Sequence, residues 1–488
     1  MHACARLLPV ACVLLTTATA RASEHPSLAE TYRDQASQIV GAALTSDHAY
    51  SRLSELCDGI GHRLSGSKQL ELAVEWAAAS MRADGLDVRL QPVRVPHWVR
   101  GRESAEMVEP RLMPLSMLGL GGSVGTPKRG ITAPVVAVSS WDMLDSLPDS
   151  ALRGKIVLYD VPFTTYGETV KFRGNGASRA ATRGAVAVLV RSVGPTSLRT
   201  PHTGSLRYEE DKVAGDNAAG GNLAADNVAA NRIPAAAVTI EDATMLHRLL
   251  DQGHTVRVRL QMEAKKHPDV LSHNVIGELR GRERPEEVVL LGGHLDSWDV
   301  GQGAHDDGGG CILAMEAVRI IHQLGLRPRR TLRVVLWTNE ENGLRGANAY
   351  RDSLGSAVRN HVAAIEADMG VERLAGFGVR VEHDTSDVAS RERHVNAVAR
   401  AREIGTLLAG LGGDRITEDG GGADIGPLMK LGVPGLAHRT IGERYFEWHH
   451  TPADMLDKVD ALELRKHVAA MAVMAFVLAD MPARLDDP

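Results

Sequence analysis

Short apolar runs alternate with segments of helical spacing throughout the C-terminal half of the chain. The run at 288–291 is apolar at every position, as expected for a strand that is buried on both faces of a sheet. Apolar runs at 331–337, 362–365 and 433–437 predict further strands, and residues 311–324 predict a helix. This alternation predicts an α/β fold with a mostly parallel sheet flanked by helices.

Polar side chains follow each of these predicted strands. In open α/β sheets, ligands bind beyond the carboxyl ends of the strands, so we expect these groups to converge in one crevice. A glycine-rich loop at 303–310 brings Asp306 and Asp307 to the start of the predicted helix, which Asp307 is predicted to cap. The polar stretches after the four strands are 292–296, 338–341, 366–368 and, beyond a loop, 448–452.

Imidazoles and carboxylates make up this set, which contains no thiolate. Such a mixture suits hard to borderline divalent cations, and zinc is the natural candidate in a hydrolytic site. Two histidines cannot complete the shells of two ions, so a carboxylate bridging ions roughly 3.5–4 Å apart would be needed. Any one of these residues alone would more often be a solvated or capping group. Their occurrence together, at successive strand ends, indicates a metal site.

The motifs of this set resemble those of the co-catalytic zinc exopeptidases, and in particular the plasma glutamate carboxypeptidase type of that family. The resemblance covers nearly the whole mature chain, including a segment at 61–67 and an inserted domain similar to the protease-associated module. The residues that carry it are His294, Asp296, Gly303, Ala304, Asp306, Asp307, Gly308, Glu340, Glu341, Gly343, Asp368, His450 and Thr451.

Carried over position by position, the resemblance implies two zinc ions (Zn²⁺) per chain. It implies that His294 and Asp368 bind one ion and that Glu341 and His450 bind the other, with Asp306 bridging both. A short peptide is the implied substrate, and a homodimer is a possible assembly.

Two further carboxylates complete the implied site. Glu340 matches the general base, which takes a proton from water and returns it to the leaving amine. Asp296 matches the carboxylate that orients a liganding histidine. Other branches of the family have a tyrosine just before the last zinc histidine, whereas this chain has His449 there. His305, which precedes the bridging position, has no predicted role.

The activity implied by the resemblance is hydrolysis of dipeptides or short peptides by a carboxypeptidase or dipeptidase. An aminopeptidase of the same family is the first alternative, because the sequence does not reveal whether an acidic or a basic group anchors the substrate. A glutaminyl-cyclase-like acyltransferase and a non-catalytic binding protein are less favoured, because the chain keeps Asp306 and Glu340. Asp424 is assigned equally to substrate contact and to turn formation.

The N-terminus predicts a signal peptide over residues 1–22, and therefore a secreted or periplasmic protein. Its apolar run, from Leu7 to Leu15, is too short to span a bilayer and precedes small residues that suit cleavage. Beyond this segment, Cys57 and Cys311 are predicted to be buried free thiols. The formal net charge of −6 argues against binding to nucleic acid.

Changes in pattern divide the mature chain into three parts. Residues 23–117 and 269–488 are predicted to form one peptidase domain, and residues 118–268 a smaller inserted α+β domain. The inserted part has no ionisable cluster with ligand spacing, so it is predicted to be non-catalytic. Its stretch at 213–230, rich in Ala, Gly and Asn, has little to bury and is predicted to be a surface loop.

Overall fold

A computed structural model of the chain describes residues 26–208, 232–382 and 387–488. The predicted signal peptide and the predicted loop at 213–230 lie outside the described residues. In chain order the described strands are β1 Asp87–Val99, β2 Glu103–Glu109, β3 Met113–Leu115, β4 Met117–Gly119, β5 Ile131–Val138, β6 Ile156–Tyr159, β7 Ala187–Arg191, β8 Ala235–Val238, β9 Arg257–Met262, β10 Lys265–Leu279, β11 Arg284–His294, β12 Arg330–Trp337, β13 His361–Glu366, β14 Arg373–Arg380, β15 Arg415–Thr417 and β16 Gly435–Ile441.

Helices connect these strands. In chain order the described α-helices are α1 Leu28–Leu44, α2 His48–Ser54, α3 Lys68–Ala83, α4 Trp141–Ser146, α5 Asp149–Leu152, α6 Tyr166–Ala181, α7 Ile240–Asp251, α8 Gly309–Gln323, α9 Arg345–Leu354, α10 Val388–Gly405, α11 Gly426–Met429, α12 Tyr445–Trp448 and α13 Ala461–Asp480.

The larger sheet has the strand order β1-β10-β12-β11-β13-β16-β14-β15. Its four central strands, from β12 to β16 in that order, run parallel, and antiparallel pairs lie on either side of them. The predicted α/β fold is confirmed. The continuous apolar run of β11 is explained by its central position, since helices cover both faces there.

The order in which strands are added to the sheet reverses at β11. After β11 the chain passes through α8 to β12, which lies on one side of β11, and then to β13, which lies on the other side. Register aligns the carboxyl ends of the three strands, because His294 lies opposite Trp337 and Gly292 lies opposite Glu366. Such a switch point opens a crevice at the strand ends, which is where the predicted site residues stand.

The long helices α8 and α13 cover one face of this sheet. The apolar helix α13 packs against both α8 and α1, and almost all its residues after the first turn are buried. Asp460 caps the first turn of α13 by accepting the backbone N–H groups of Leu462 and Glu463. This packing fixes α8, and with it the glycine-rich loop that precedes α8.

A second sheet has the strand order β3-β2-β9-β5-β6-β7-β8-β4 and encloses two further apolar clusters with α4 to α7. Its strands run from Glu103 to Met262, so the sheet begins ahead of the predicted domain boundary at residue 118.

Prolines interrupt the stretch from residue 94 to residue 117. Most of it is strand, in β1 to β4. The prolines are tolerated because β1 and β3 are edge strands, where a missing N–H does not break a ladder. In β1 a register shift between Val95 and His97 accommodates Pro96.

Both cysteines within the described residues are unpaired and buried, as predicted for Cys57 and Cys311. Across 26–208, 232–382 and 387–488, no helix combines the length and apolar character needed to cross a membrane.

Candidate metal centre

Five predicted ligands converge beyond the carboxyl ends of β11, β12 and β13. His294 is the last residue of β11, Glu341 follows β12 and Asp368 follows β13. Asp306 stands in the loop before α8, and His450 lies just after α12 in a left-handed conformation with φ of 58°. The structure therefore brings together all five residues from four separate loops and one strand end.

The first trio consists of His294, Asp306 and Asp368. The Nε2 atom of His294 lies 3.2 Å from Oδ1 of Asp306 and 3.5 Å from Oδ1 of Asp368. His294 and Asp306 are buried, and Asp368 is partly exposed.

The second trio consists of Asp306, Glu341 and His450, and it shares Asp306 with the first. The Nε2 atom of His450 lies 3.2 Å from Oδ2 of Asp306 and 3.0 Å from Oε2 of Glu341. Each carboxylate oxygen of Asp306 thus faces a different histidine.

The donor set fits zinc. Zinc binds histidine nitrogen and carboxylate oxygen at about 2.0–2.2 Å, so the ligand atoms of one tetrahedral ion lie roughly 3.4 Å apart. The distances from histidine to carboxylate within both trios, 3.0–3.5 Å, are close to that spacing. In addition, Oδ2 of Asp306 is buried without a hydrogen-bond partner, as expected for a ligand atom.

The charges of this cluster also call for cations. Burial opposes the ionisation of Asp306, but the neighbouring imidazoles of His294 and His450 hold its pKa well below the usual range. Burial and the charge of Asp306 raise the pKa of Glu341 to about 7. Despite burial, the neighbouring acids raise the pKa of both histidines well above 6.5. A group of buried acids with so large an affinity for positive charge is typical of a metal site.

Asp296 orients His294 through its main chain. The Nδ1 atom of His294 lies 2.8 Å from the carbonyl oxygen of Asp296 and 3.9 Å from the side-chain oxygen Oδ1 of that residue. The hydrogen bond leaves Nε2 of His294 free for ligation. The carboxylate of Asp296 instead accepts the backbone N–H groups of Glu340 and Glu341 at 3.1 and 3.4 Å. The predicted side-chain contact to a liganding histidine is therefore replaced by a contact to the loop after β12.

The glycine-rich loop holds Asp306 against the end of β11. The carboxylate of Asp307 accepts the backbone N–H of His294 and that of Gly310, each at 3.0 Å, so it satisfies one N–H of the first turn of α8, although Gly308 occupies the N-cap position itself. Glycine is required at position 310, because a Cβ there would overlap the carbonyl oxygen of Ala367.

Asp454 is part of the site, and sequence reasoning missed it. Its carboxylate accepts the backbone N–H groups of Ala304, His305 and Asp306 at 2.8–3.1 Å. Burial raises the pKa of Asp454 to about 7. Asp454 lies close to His450 in the sequence, which could have indicated that it belongs to the site. A single acidic residue in a loop, however, is usually a solvated or turn-forming residue.

Glu340 follows β12, directly before the proposed ligand Glu341, and belongs to neither trio. Its side chain is partly exposed. Burial raises its pKa well above the usual range, against the lowering effect of His294, and the charge of Asp368 raises it further. Glu340 is therefore close to His294 and Asp368 without belonging to either trio.

The inserted part, which is predicted to be non-catalytic, contacts residues of the site. The backbone N–H of Thr203 donates to the carbonyl oxygen of His450 at 2.9 Å, and Oγ of Ser205 donates to that of Glu341 at 2.9 Å. His202 contacts His449, with 3.0 Å between Nε2 and Nδ1. These contacts are formed by backbone and single side chains, which leave no cluster that sequence reasoning could detect.

His449 occupies the position before His450. Its Nε2 lies 3.5 Å from Oδ2 of Asp306, and its ring stacks on that of His450 with centroids 3.7 Å apart. Burial and the neighbouring histidines lower the pKa of both His202 and His449 well below 6.5. Both rings are therefore neutral near pH 7.

Asp424 and Glu366 form a buried acidic pair near the site. Neither oxygen of the Asp424 carboxylate has a hydrogen-bond partner, so the turn-forming alternative for this side chain is not observed. The Glu366 carboxylate accepts the backbone N–H of Ile425 at 2.7 Å. Burial and the charge of Glu366 raise the pKa of Asp424 well above its usual range.

Comparison with known proteins identifies the family to which this chain belongs. Residues 274–475 match peptidase family M28. Carboxypeptidase Q of the mouse is 41% identical over 458 residues, which are 93% of this chain and 91% of the mouse protein. Aminopeptidase YwaD of Bacillus subtilis is 25% identical over 427 residues, which are 86% of this chain and 82% of that protein.

A solved structure is similar over almost the whole length. The peptidase M28 precursor from Shewanella amazonensis superposes with a TM-score of 0.84 and 33% sequence identity, over 94% of this chain and 99% of that one. The resemblance to the zinc exopeptidases that the motifs indicated is confirmed at the level of the family. The chain belongs to peptidase family M28, and it is a metallopeptidase.

Proposed function

We propose that this metallopeptidase is a secreted or periplasmic exopeptidase that uses two zinc ions to hydrolyse dipeptides or short peptides as a carboxypeptidase or dipeptidase. The observation that carries the proposal is the sharing of Asp306 by two ligand trios. One shared carboxylate between two such trios is the arrangement that a pair of closely spaced metal ions needs.

The proposed ligands divide as the trios do. His294 and Asp368 would hold one ion, Glu341 and His450 would hold the other, and Asp306 would be shared by the two sites. When bound, the two zinc ions supply Lewis acidity, which polarises a scissile carbonyl and lowers the pKa of water towards neutrality.

Glu340 is the proposed general base. It takes a proton from the attacking water at its carboxylate and returns that proton to the nitrogen of the leaving amine. Its position beside His294 and Asp368, outside both trios, supports this role. Asp296 positions Glu340 by accepting its backbone N–H, and it positions His294 through its own carbonyl oxygen.

We favour carboxypeptidase or dipeptidase activity over aminopeptidase activity because the chain is more similar to carboxypeptidase Q than to aminopeptidase YwaD. An aminopeptidase remains the first alternative. A glutaminyl-cyclase-like acyltransferase and a non-catalytic binding protein are weaker alternatives, because the shared Asp306 and the base Glu340 are both retained.

The proposed location rests on the predicted signal peptide at 1–22. N-terminal sequencing of the protein recovered from a periplasmic or culture fraction tests it. The possible homodimer is tested on the same material by sedimentation.

The deciding experiment is an assay of the purified mature chain on free dipeptides, dipeptides with a blocked amine and dipeptides with a blocked carboxylate. Each arm is run with and without a metal chelator. Cleavage that needs a free carboxylate and is abolished by chelator is the expected result. Cleavage that needs only a free amine would make the protein an aminopeptidase. No cleavage in any arm, with zinc bound, would contradict the proposed activity.

A further inference from the structure

The segment 61–67 lies against the metal centre, although none of its residues belongs to a ligand trio. Its Arg63 and Ser65 are both buried, and Arg63 has no exposed surface at all. A fully buried arginine is uncommon, because the cost of removing its charge from water must be offset by hydrogen bonds on every side. The partners of these two residues identify what the segment holds in place.

Arg63 binds both ends of the loop 295–303. At the beginning of the loop, its Nε donates to the carbonyl oxygen of Leu295 at 2.8 Å. At the end of the loop, its Nη1 donates to the carbonyl oxygen of Gln302 at 2.7 Å, and its Nη2 donates to that of Gly303 at 3.0 Å. One side chain therefore fixes the distance between the two ends of this loop.

The same loop joins two of the proposed ligands. It begins directly after His294 and ends just before the turn that carries Asp306. Its last position needs glycine for the close approach of the guanidinium, because a Cβ on Gly303 would lie 2.9 Å from Nη2 of Arg63. The hydrogen bonds of Arg63 therefore act on the spacing of two residues that are proposed to bind metal.

The planar fork of Arg63 makes this arrangement rigid. In the part of the chain that the structure describes, each acceptor of its guanidinium is a backbone carbonyl oxygen, and the fourth is that of Gly61 at 2.9 Å. The backbone of Arg63 also pairs with Ser297, whose Oγ accepts its N–H at 3.0 Å and whose N–H donates to its carbonyl oxygen at 3.3 Å. Charged donors form stronger hydrogen bonds than neutral ones, and the guanidinium fixes their directions. A movement of the loop would leave a buried charge without its acceptors, which is costly.

Ser65 connects the same segment to the loop after β12. Its Oγ donates to Oδ2 of Asp296 at 3.3 Å and accepts a hydrogen bond from Nδ2 of Asn339 at 3.1 Å. The carboxylate of Asp296 in turn accepts the backbone N–H of Glu340 at 3.1 Å. Asn339 has a left-handed backbone with φ of 69°, a conformation that asparagine adopts more readily than most residues. Ser65 therefore contacts both groups that hold the backbone of Glu340.

We propose that Arg63 and Ser65 are positioning residues with separate tasks. Arg63 holds the ligands on either side of the loop 295–303 at their binding distance, so that the site is already formed without a metal ion. Ser65 holds the proposed base Glu340. The task of Ser65 rests on the proposed peptidase function, whereas the task of Arg63 rests only on the metal centre.

Zinc affinity tests the task of Arg63. Arg63→Met removes the charge and the fork, and Arg63→Lys keeps only the charge. Competition with a chelator should show that both variants bind zinc about 10–100-fold more weakly than the wild type. Wild-type affinity in Arg63→Met would overturn the proposal. Full recovery in Arg63→Lys would also overturn it, because the charge rather than the fork would then be what matters.

Arg330→Lys is the matched control. Arg330 is as fully buried as Arg63 and also donates to backbone carbonyl oxygens, those of Met481 and Pro482, but it lies at the amino end of β12, away from the metal centre. This variant should be less stable than the wild type in urea and should bind zinc with unchanged affinity. An equal loss of zinc affinity in Arg330→Lys and Arg63→Lys would overturn the proposal, since the cause would then be general damage.

A measurement on the wild type covers the case in which the variants fail to fold. Hydrogen exchange of the loop 295–303, read from its peptides by mass spectrometry, should be as slow in the metal-free protein as in the zinc-loaded protein, because Arg63 already holds the loop. A loop that exchanges rapidly until zinc is bound would overturn the proposal.

Kinetics test the task of Ser65. Ser65→Ala should bind zinc as the wild type does, and its kcat should fall roughly five- to tenfold, which is the contribution of one hydrogen bond. KM should change little, because the base acts in the transition state. Ser67→Ala is the control from the same segment, because Ser67 caps α3 by accepting the N–H of Leu70 at 3.1 Å. Its kcat should equal that of the wild type.

Loss of zinc in Ser65→Ala, or an unchanged kcat, would overturn the task assigned to Ser65. If the wild type cleaves no dipeptide at all, the proposed function fails and the task of Ser65 fails with it. Zinc affinity and hydrogen exchange do not depend on turnover, so they decide the task of Arg63 in either case.

Discussion

The carboxylate of Asp454 accepts the backbone N–H of Asp306 at 3.1 Å, across 148 positions of the chain. The loop that carries the proposed bridging ligand is therefore held in place by an acid from the segment after α12. The same carboxylate also accepts the N–H groups of Ala304 and His305. Asp454 belongs to neither ligand trio, so its contribution can be separated from ligation.

We predict that Asp454→Ala weakens zinc binding about 10–100-fold, because the loop with Asp306 loses its anchor. Competition with a chelator of known affinity measures the change. Asp457→Ala, at a nearby exposed aspartate, is the control and should bind zinc as the wild type does. An unchanged affinity in Asp454→Ala would show that the loop is held by its other contacts.

Glu340→Gln should retain both zinc ions, and its kcat should fall roughly 10²–10⁴-fold, because the amide cannot take up a proton. Metal analysis and steady-state kinetics on one preparation test both parts. Glu341→Gln is the comparison, since it should lose zinc as well as activity. If Glu340→Gln instead loses metal, the roles of the two neighbouring glutamates are reversed.

Asp306→Ala should empty both metal sites, since each trio depends on this carboxylate. Asp368→Ala should weaken only the site that contains His294. Zinc content after dialysis against a weak chelator distinguishes the two variants. One tightly held ion in Asp306→Ala would contradict the bridging role.

Stability should fall in mild acid because of a buried histidine pair. Nδ1 of His467 lies 2.7 Å from Nε2 of His438, and burial lowers the pKa of His467 from 6.5 to about 4. The unfolded chain binds this proton more tightly, so the stabilising contribution is complete above pH 6.5 and is lost as the pH falls towards 4. The loss is on the order of 3 kcal/mol.

Urea unfolding between pH 7 and pH 4 measures this effect. His467→Gln should be less stable than the wild type at pH 7 but should lose less stability on acidification. Equal losses in both proteins would mean that other groups cause the acid sensitivity.

Much of the sheet was predictable because its pattern is local. The apolar run of β11 and the helical spacing of α8 depend only on neighbouring residues, and both were predicted close to their observed positions. The full length of β1 does not follow from the local pattern, since Pro92 and Pro96 oppose a strand there. They are acceptable only because nothing pairs with the outer side of β1, which is a property of the whole sheet.

The ligand side chains were also predictable. Strand ends are recognisable in the sequence, and the polar residues at parallel strand ends must meet at one edge of the sheet. The orientation of Asp296 was not predictable, because its carbonyl and its carboxylate both lie near His294, and only the folded structure decides which of them bonds to the ring. The same holds for Asp454, whose partners lie in a loop far away in sequence.

The sequence by itself determined the α/β class, the family resemblance and the five residues proposed to hold metal, because periodicity and motif spacing are written along the chain. Only the tertiary structure decided that Asp306 faces two histidines with separate oxygens, that Asp454 anchors its loop, and that His202 reaches His449 from the inserted part. These relationships depend on distances between residues far apart in the chain, and such distances exist only after the sheets and helices have packed.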